Sequence, residues 1–225
     1  MILLAIDTSG KDGSIALARA PEDARNSSEL AILDLVPLEG GTFSAQLVPQ
    51  IAELLARNDL EKEDIGAFVV ASGPGSFTGL RVGLAAIKAL AEILGKPIAA
   101  VSRLEALARA AGVRGTVIAA LDAGRGEVYT GVYEVEDTAQ MRAERLLTNG
   151  ELFAEAAGRM IVTPDGKLAE AARAAGLQVK QVDLPRSDAI APLGWEKLQK
   201  GETVSPEDLE ANYIRRSDAE IFAKK

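Results

Sequence analysis

One pattern, used twice, constrains this chain more than any other feature. Ile2-Leu3-Leu4-Ala5-Ile6 is an almost unbroken apolar run that ends at Asp7 and the turn Thr8-Ser9-Gly10-Lys11-Asp12-Gly13; Ser14–Ala18 then returns as a second strand. Residues Thr116–Leu121 repeat the arrangement, ending at Asp122 and the turn Ala123-Gly124-Arg125-Gly126 before Glu127–Val135 alternates back. A strand apolar on successive residues is one covered on both faces. Two such hairpins, one opening each half, predict a duplicated two-lobed α/β fold of mixed sheets flanked by helices. The first lobe is expected over residues 1–102 and the second over 103–225. The C-terminal helices either stay with the second lobe or pack back on the first.

The rest of the pattern fits such a pair of lobes. A third strand is expected over Leu30–Val36, after a polar loop holding Pro21 and Asn26-Ser27-Ser28. A helix is expected over Phe43–Arg57 with Leu47, Ile51, Leu54 and Leu55 on one face, and Pro49 should kink it or confine it to the first turns. Phe68-Val69-Val70 reads as a buried strand, Thr78–Leu94 as a helix stopped by Gly95 and Pro97, and Pro97–Val101 as a short strand. Ser102 and Glu105 have the spacing of a capping box for a helix through Ala111. Beyond Val135, helices are expected around Glu151–Ala157, Lys167–Ala175 and Ala189–Lys200, with strands at Met160–Val162 and Gln178–Val182.

Composition removes whole classes of chemistry. The 225 residues contain no cysteine and no histidine, which excludes disulfides, thiol catalysis, Cys/His zinc sites and triads built on histidine. A formal charge of −8, with both halves acidic, argues against a protein that grips nucleic acid alone through counterion release. Arg215-Arg216 and Lys224-Lys225 are better read as solvated C-terminal charges than as an RNA clamp. Aromatics at 4% give no stacking platform, so Trp195 and Tyr213 are core or rim residues. No stretch approaches the roughly 18 apolar residues of a membrane span, and the first ten residues lack a signal-peptide pattern; the cytoplasm is expected.

Two motifs carry candidate chemistry. The hairpin pair resembles that of actin-like ATPases, sugar kinases and Hsp70. There the two loops face each other across a cleft and hold nucleotide phosphates, with the Asp residues handling magnesium or its water. On this reading Asp7, Thr8, Ser9 and Asp122 are candidate phosphate-site residues, and the chain could be a nucleotide-dependent phosphotransferase. The competing and favoured reading is a pair of Asx turns closing hairpins. The second loop offers only Asp122, and no Gly-Gly adenosine cradle follows it, because Gly40-Gly41 lies in the first half.

The second motif is Ser72-Gly73-Pro74-Gly75-Ser76-Phe77-Thr78-Gly79-Leu80-Arg81. Its amides open a helix, with Ser76 or Thr78 as N-cap, but no Gly-Lys-Ser/Thr follows and it is not a P-loop. The helix beyond it is apolar nearly all round, with Arg81, Lys88 and Glu92 as a thin polar seam, so it should be buried on two sides. Gly79, Gly83 and Ala86 are small enough to let another backbone come close. That second side is either sandwiched within the chain or presented to a partner.

These residues resemble one family. Ile6-Asp7-Thr8-Ser9, the segment Gly73–Leu84, Val101-Ser102-x-Leu104-Glu105-Ala106-Leu107-Ala108, Asp122-x-x-Arg125-Gly126-Glu127-Val128-Tyr129, and Pro206 followed by Tyr213-x-Arg215 are similar, in this order over essentially the whole chain, to the TsaB (YeaZ) family. The resemblance implies an actin-like ATPase (ribonuclease H-like) duplicated fold. It also implies a bacterial cytoplasmic scaffold, itself not an enzyme, that serves the formation of N6-threonylcarbamoyladenosine at position 37 of tRNAs reading codons that begin with A. Its implied partners are the transferase TsaD, which it binds and activates, and the ATPase TsaE, with a homodimer when alone and tRNA met only through the complex. No membrane partner is implied. No metal and no cofactor of its own is implied, ATP entering only at a composite site shared with partners. The implied interface lies on the first-lobe helices, with Leu47, Ile51, Gly75, Phe77, Thr78, Gly79, Arg81, Val82, Gly83 and Ala86. The chain departs from the family in Phe43-Ser44, where His-Ser is common, and in Ala123-Gly124-Arg125-Gly126, where Ala-Arg-Arg-Gly is common.

Overall fold

The computed structural model describes residues 1–20 and 30–215 and divides them into two compact units. The first joins residues 1–102 to 186–212; the second comprises 103–185 together with 213–215. The polar loop expected around Pro21 and Asn26 lies outside the described residues, as do Arg216, Lys224 and Lys225.

In the first unit a five-stranded sheet is built from β1 (Ile2–Asp7), β2 (Gly13–Arg19), β3 (Ala31–Leu38), β4 (Ile65–Gly73) and β5 (Ile98–Ser102), ordered β3-β2-β1-β4-β5. β2 runs antiparallel to both β1 and β3, while β4 and β5 run parallel to β1 and to one another. On one face lie α1 (Phe43–Arg57) and α2 (Phe77–Leu94), whose Leu47, Leu54, Leu80 and Ile87 share a core with Leu4, Ile6, Phe68 and Val70. The other face is covered by a helix that returns late in the chain over Ser187–Gln199, packed on β1, β2, β4 and β5. It is seated by two close fits. Gly194 lies so near β4 that a Cβ there would fall 2.3 Å from Val69 Cγ1. Ser187 donates its backbone N–H to Ser14 Oγ at 2.9 Å and its hydroxyl to the Ser14 carbonyl at 2.6 Å. Helices on both faces are the physical reason that β1 is buried at every residue.

In the second unit α3 (Arg103–Ala110) precedes β6 (Gly115–Gly124), β7 (Glu127–Val135), β8 (Ala139–Thr148), α4 (Asn149–Glu155), β9 (Met160–Thr163), α5 (Gly166–Ala174) and β10 (Val179–Gln181); the returning helix of the first unit is α6. The sheet order β10-β9-β6-β7-β8 repeats that of the first unit, with β7 antiparallel to β6 and β8 and β9 parallel to β6. Leu104, Leu107 and Tyr133 fill the α3 side; Ile118, Val128, Leu152 and Leu168 fill the other.

Several boundaries differ from expectation. β3 begins at Ala31 and continues through Pro37 to Leu38. Proline is tolerated there because β3 is an edge strand and needs no outward N–H. α1 runs unbroken past Pro49, its buried Phe43, Leu47, Ile51, Leu54 and Leu55 holding it against the sheet. β8 was not anticipated: as an edge strand with scattered charges it lacks apolar alternation. Among the described residues no helix is long and apolar enough to cross a membrane.

Candidate functional site

The first hairpin loop is built inward. β1 ends at Asp7, whose Oδ1 accepts the Ser9 N–H at 2.8 Å and the Ser9 hydroxyl in a second, short hydrogen bond. Asp7, Thr8 and Ser9 are all buried. Thr8 Oγ1 donates to the Gly79 carbonyl in the first turn of α2 at 2.7 Å, and Ser76 N–H donates to the Ser9 carbonyl at 2.7 Å. Ser76, not Thr78, caps α2: its Oγ accepts from Gly79 N–H at 3.2 Å, and Gly95 closes the helix with φ +63°.

The glycines around this start have a structural reason. A Cβ on Gly75 would lie 2.2 Å from the Ser9 carbonyl oxygen, on Gly79 2.0 Å from the Thr8 carbonyl oxygen, and on Gly83 2.3 Å from Thr8 Oγ1. What Gly79 and Gly83 let approach is therefore the chain's own β1–β2 loop, the Thr8 backbone at Gly79 and the Thr8 side chain at Gly83. The hydroxyls of Thr8 and Ser9 and the Ser9 amide, donors that a phosphate would use, are engaged within the loop and with α2.

The second hairpin loop is built outward. Asp122 is exposed and its Oδ1 accepts from Gly124 N–H at 2.9 Å, an Asx turn. Gly124, Arg125 and Gly126 all have positive φ, Arg125 at +60°. Arg215 pins this turn: Nη1 donates to the Ala123 carbonyl at 2.7 Å, Nη2 to the Gly124 carbonyl at 3.3 Å, and Nη2 also pairs with Glu127. Expected as a solvated tail charge, Arg215 is half-buried because these carbonyls and the Glu127 carboxylate draw it in. Asp7 belongs to the first unit and Asp122 to the second. Among the described residues no three acidic side chains gather as metal ligands would.

The residues expected on a partner surface separate into two sets. Leu47, Ile51, Gly79 and Gly83 are buried within the unit, and Gly75, Val82 and Ala86 are half-buried. Phe77, Thr78 and Arg81 face outward, with the Arg81 guanidinium 3.8 Å from the centre of the Phe77 ring, a cation–π pair. The most exposed apolar side chains of these two helices are Ile93 on α2, at 75%, which the sequence places on the second apolar side of that helix, and Val48 on α1, at 60%, which reasoning from the sequence passed over. Both fit a helical period, but only packing shows on which side of the helix the core lies. Trp195 is buried and Tyr213 exposed.

Comparison with known proteins adds to this geometry. Residues 40–189 match the TsaD family, described as tRNA N6-adenosine threonylcarbamoyltransferase. A Bacillus subtilis protein named tRNA threonylcarbamoyladenosine biosynthesis protein TsaB is 38% identical over 138 residues, 61% of this chain and 57% of that one, so the match spans little more than half of that relative. The Escherichia coli protein of the same name is 28% identical over 97% of this chain and 96% of its own. Among solved structures, YeaZ from Pseudomonas aeruginosa has a TM-score of 0.75 at 24% identity, covering 94% of this chain and 99% of that one. The fold is thus the duplicated actin-like (ribonuclease H-like) arrangement expected from the resemblance, and the strand order repeated in the two units shows the duplication.

Proposed function

The chain belongs to the TsaD family and, within it, to the TsaB (YeaZ) group, and from that premise we propose that it is a non-catalytic subunit of the machinery making N6-threonylcarbamoyladenosine in tRNA. On this reading it binds and activates a TsaD-type transferase through the outward side of α1 and α2. Phe77, Thr78, Arg81, Val48 and Ile93 form the contact, and the same face forms a homodimer when the transferase is absent. TsaE joins the complex, tRNA is met through the partners, and the work is done in the cytoplasm. The chain needs no metal or cofactor of its own; ATP belongs to a site shared with partners.

One observation carries the non-catalytic part of the reading. The candidate phosphate donors at the start of the first hairpin loop are taken up by internal bonds, the Thr8 hydroxyl to Gly79 and the Ser9 amide and hydroxyl to Asp7. Burial of a free phosphate against such satisfied groups would leave its oxygens unpaired. The partner part is supported by the exposed large apolar side chains Val48, Phe77 and Ile93 on these two helices.

The test is a reconstituted tRNA modification assay with TsaC, TsaD, TsaE, threonine, bicarbonate and ATP, run with and without this chain. Modified adenosine is expected only when the chain is present, and it should persist with Asp7→Asn and Asp122→Ala. Reversing the charge at Arg81 together with Phe77→Ala should reduce both co-elution with the transferase and product formation by about tenfold or more, as loss of a central aromatic–Arg anchor does at other interfaces. Product lost in the two Asp variants, with the complex still assembled, would show that the chain contributes chemistry.

A further inference from the structure

The hydroxyl of Thr8 has no catalytic partner in this loop, yet it is buried and placed with unusual care. The geometry points to Thr8 as a positioning residue: it keys the β1–β2 loop into a slot of glycines on α2 and so sets where α2 presents Phe77, Thr78 and Arg81. This rests on the reading that α2 meets a TsaD-type partner.

The slot is made by Gly79 and Gly83, spaced by four so that they line one side of the helix start, together with Gly75 in the turn just before the Ser76 cap. Gly79 and Gly83 touch Thr8 and Gly75 touches Ser9, each so closely that an added Cβ would fall between 2.0 and 2.3 Å from a loop oxygen. The hydrogen bond from Thr8 Oγ1 ends on a helix carbonyl, that of Gly79, at 2.7 Å. That carbonyl can accept from a side chain beside the helix only because Gly83, one turn on, has no side chain in the way. Ser76 N–H to the Ser9 carbonyl at 2.7 Å fixes the same loop at the helix cap. Two polar bonds and three close approaches, two to loop backbone and one to the Thr8 side chain, thus hold the start of α2.

The outward residues lie on those same turns. Phe77, Thr78 and Arg81 interleave with Gly79 and Gly83, so a displacement of the helix start carries them with it. Packed interfaces tolerate little misplacement, because interior-like packing loses its contacts over fractions of an ångström. In Thr8→Val a methyl group takes the place of the hydroxyl. It cannot donate, and it cannot remain at hydrogen-bond distance from a carbonyl oxygen, so the loop must back away. Thr8→Ser keeps the donor and removes only the methyl.

The experiment compares wild type, Thr8→Val and Thr8→Ser in two measurements. The first is hydrogen–deuterium exchange of the amides of residues 79–84 in the chain alone; the second is the affinity for the TsaD-type transferase. Thr8→Val is expected to speed exchange in the first two turns of α2 by about tenfold while helices α4 and α5 are unchanged, and to weaken the transferase complex by about tenfold. Thr8→Ser should stay within about threefold of wild type in both, which a merely space-filling role for Thr8 would not produce. Unchanged exchange in Thr8→Val, equal losses in the Ser and Val variants, or faster exchange with full affinity would each overturn the inference. If the wild-type chain does not bind the transferase at all, the proposed function fails on that arm, and the exchange arm still decides whether Thr8 holds α2.

Discussion

The two hairpins occupy the same place in the same sheet order, yet they are built in opposite ways. In the first unit the start of the β1–β2 loop, Thr8 and Ser9, is buried, and the turn into α2 and its first two turns close over it through Gly75, Gly79 and Gly83. In the second unit the β6–β7 turn is exposed, and the helix in the place of α2, α5, has no such slot. Its start is capped by Asp165, whose Oδ1 accepts from Lys167 N–H at 2.8 Å and Leu168 N–H at 3.1 Å. Its single glycine, Gly166, lies no nearer than 3.6 Å, counted from a built Cβ, to a neighbouring side chain, that of Gln181. What seats the second turn instead is Arg215, from far along the chain. One topology thus accommodates either a loop locked by backbone approach or a loop locked by a side chain, and a few residues decide which.

The comparison can be broken most severely at the glycine slot. Gly79→Val would drive its side chain into the Thr8 carbonyl, and the first unit should lose about 3 kcal/mol or more, as overpacking against backbone does. Gly166→Val, at the matching helix start of the second unit, should remain within roughly 1 kcal/mol of wild type, since only a flexible side chain is near. Urea unfolding of the two variants measures the difference, and equal losses would show that the slot is not what distinguishes the units.

Arg215→Ala tests the other lock. It leaves the Ala123 and Gly124 carbonyls without their charged donor and should destabilise the second unit by about 1.5 kcal/mol. The expected signature is faster hydrogen exchange in the β6–β7 turn with no change in α2.

Arg125 sharpens the comparison in the opposite direction. Its left-handed conformation at φ +60° is disfavoured for a residue with a Cβ, so Arg125→Gly should stabilise the turn by roughly 0.5–1 kcal/mol. A drop in thermal stability would mean that the Arg125 side chain contributes more than its backbone strain costs.

The smallest effect concerns the edge strands, which both units tie to a helix by an ion pair: Arg57 to Asp34 at 2.6 Å in the first, Arg145 to Glu155 at 2.6 Å in the second. Partial burial would raise the pKa of Asp34, but hydrogen bonds from Arg57, Asn58 and Leu35 N–H, with the charge of Arg57, outweigh it and hold the carboxyl below its usual value. A carboxylate depressed in the folded state stabilises above its unfolded pKa, and that contribution disappears as pH falls through the folded value. Asp34→Asn should therefore be less stable than wild type at pH 7 by under about 1 kcal/mol, the gap closing below about pH 4. A gap that does not narrow at all as pH falls from 7 through the carboxylate range would assign the effect to packing and not to charge.

Much of the fold was legible because it rests on local chemistry. The apolar run Ile2–Ile6 requires cover on both faces, and Asp7 and Asp122 each end such a run with turn residues, so duplication could be read directly. α2 was equally plain from its length, its apolar content and Gly95 beyond it. β8 was not legible, because an edge strand such as Ala139–Thr148 need not alternate when one side and its outer edge meet solvent. Nor was Arg215: a basic residue near the end of a chain looks solvated until the carbonyls it will meet are known.

The candidate site shows the same division. By itself the sequence showed that Gly79 and Gly83 are small enough to let another segment approach closely, since small residues on an otherwise bulky helix leave a groove. Only the tertiary structure decided that the occupant is Thr8, and that Phe77, Thr78 and Arg81 are what the helix turns outward. It alone also decided that residues 186–212 return to the first unit, where Gly194 meets Val69. The physical reason is common to all three. Periodicity and turn chemistry act between neighbours along the chain, whereas the identity of a packing partner depends on which distant segments the sheet brings together.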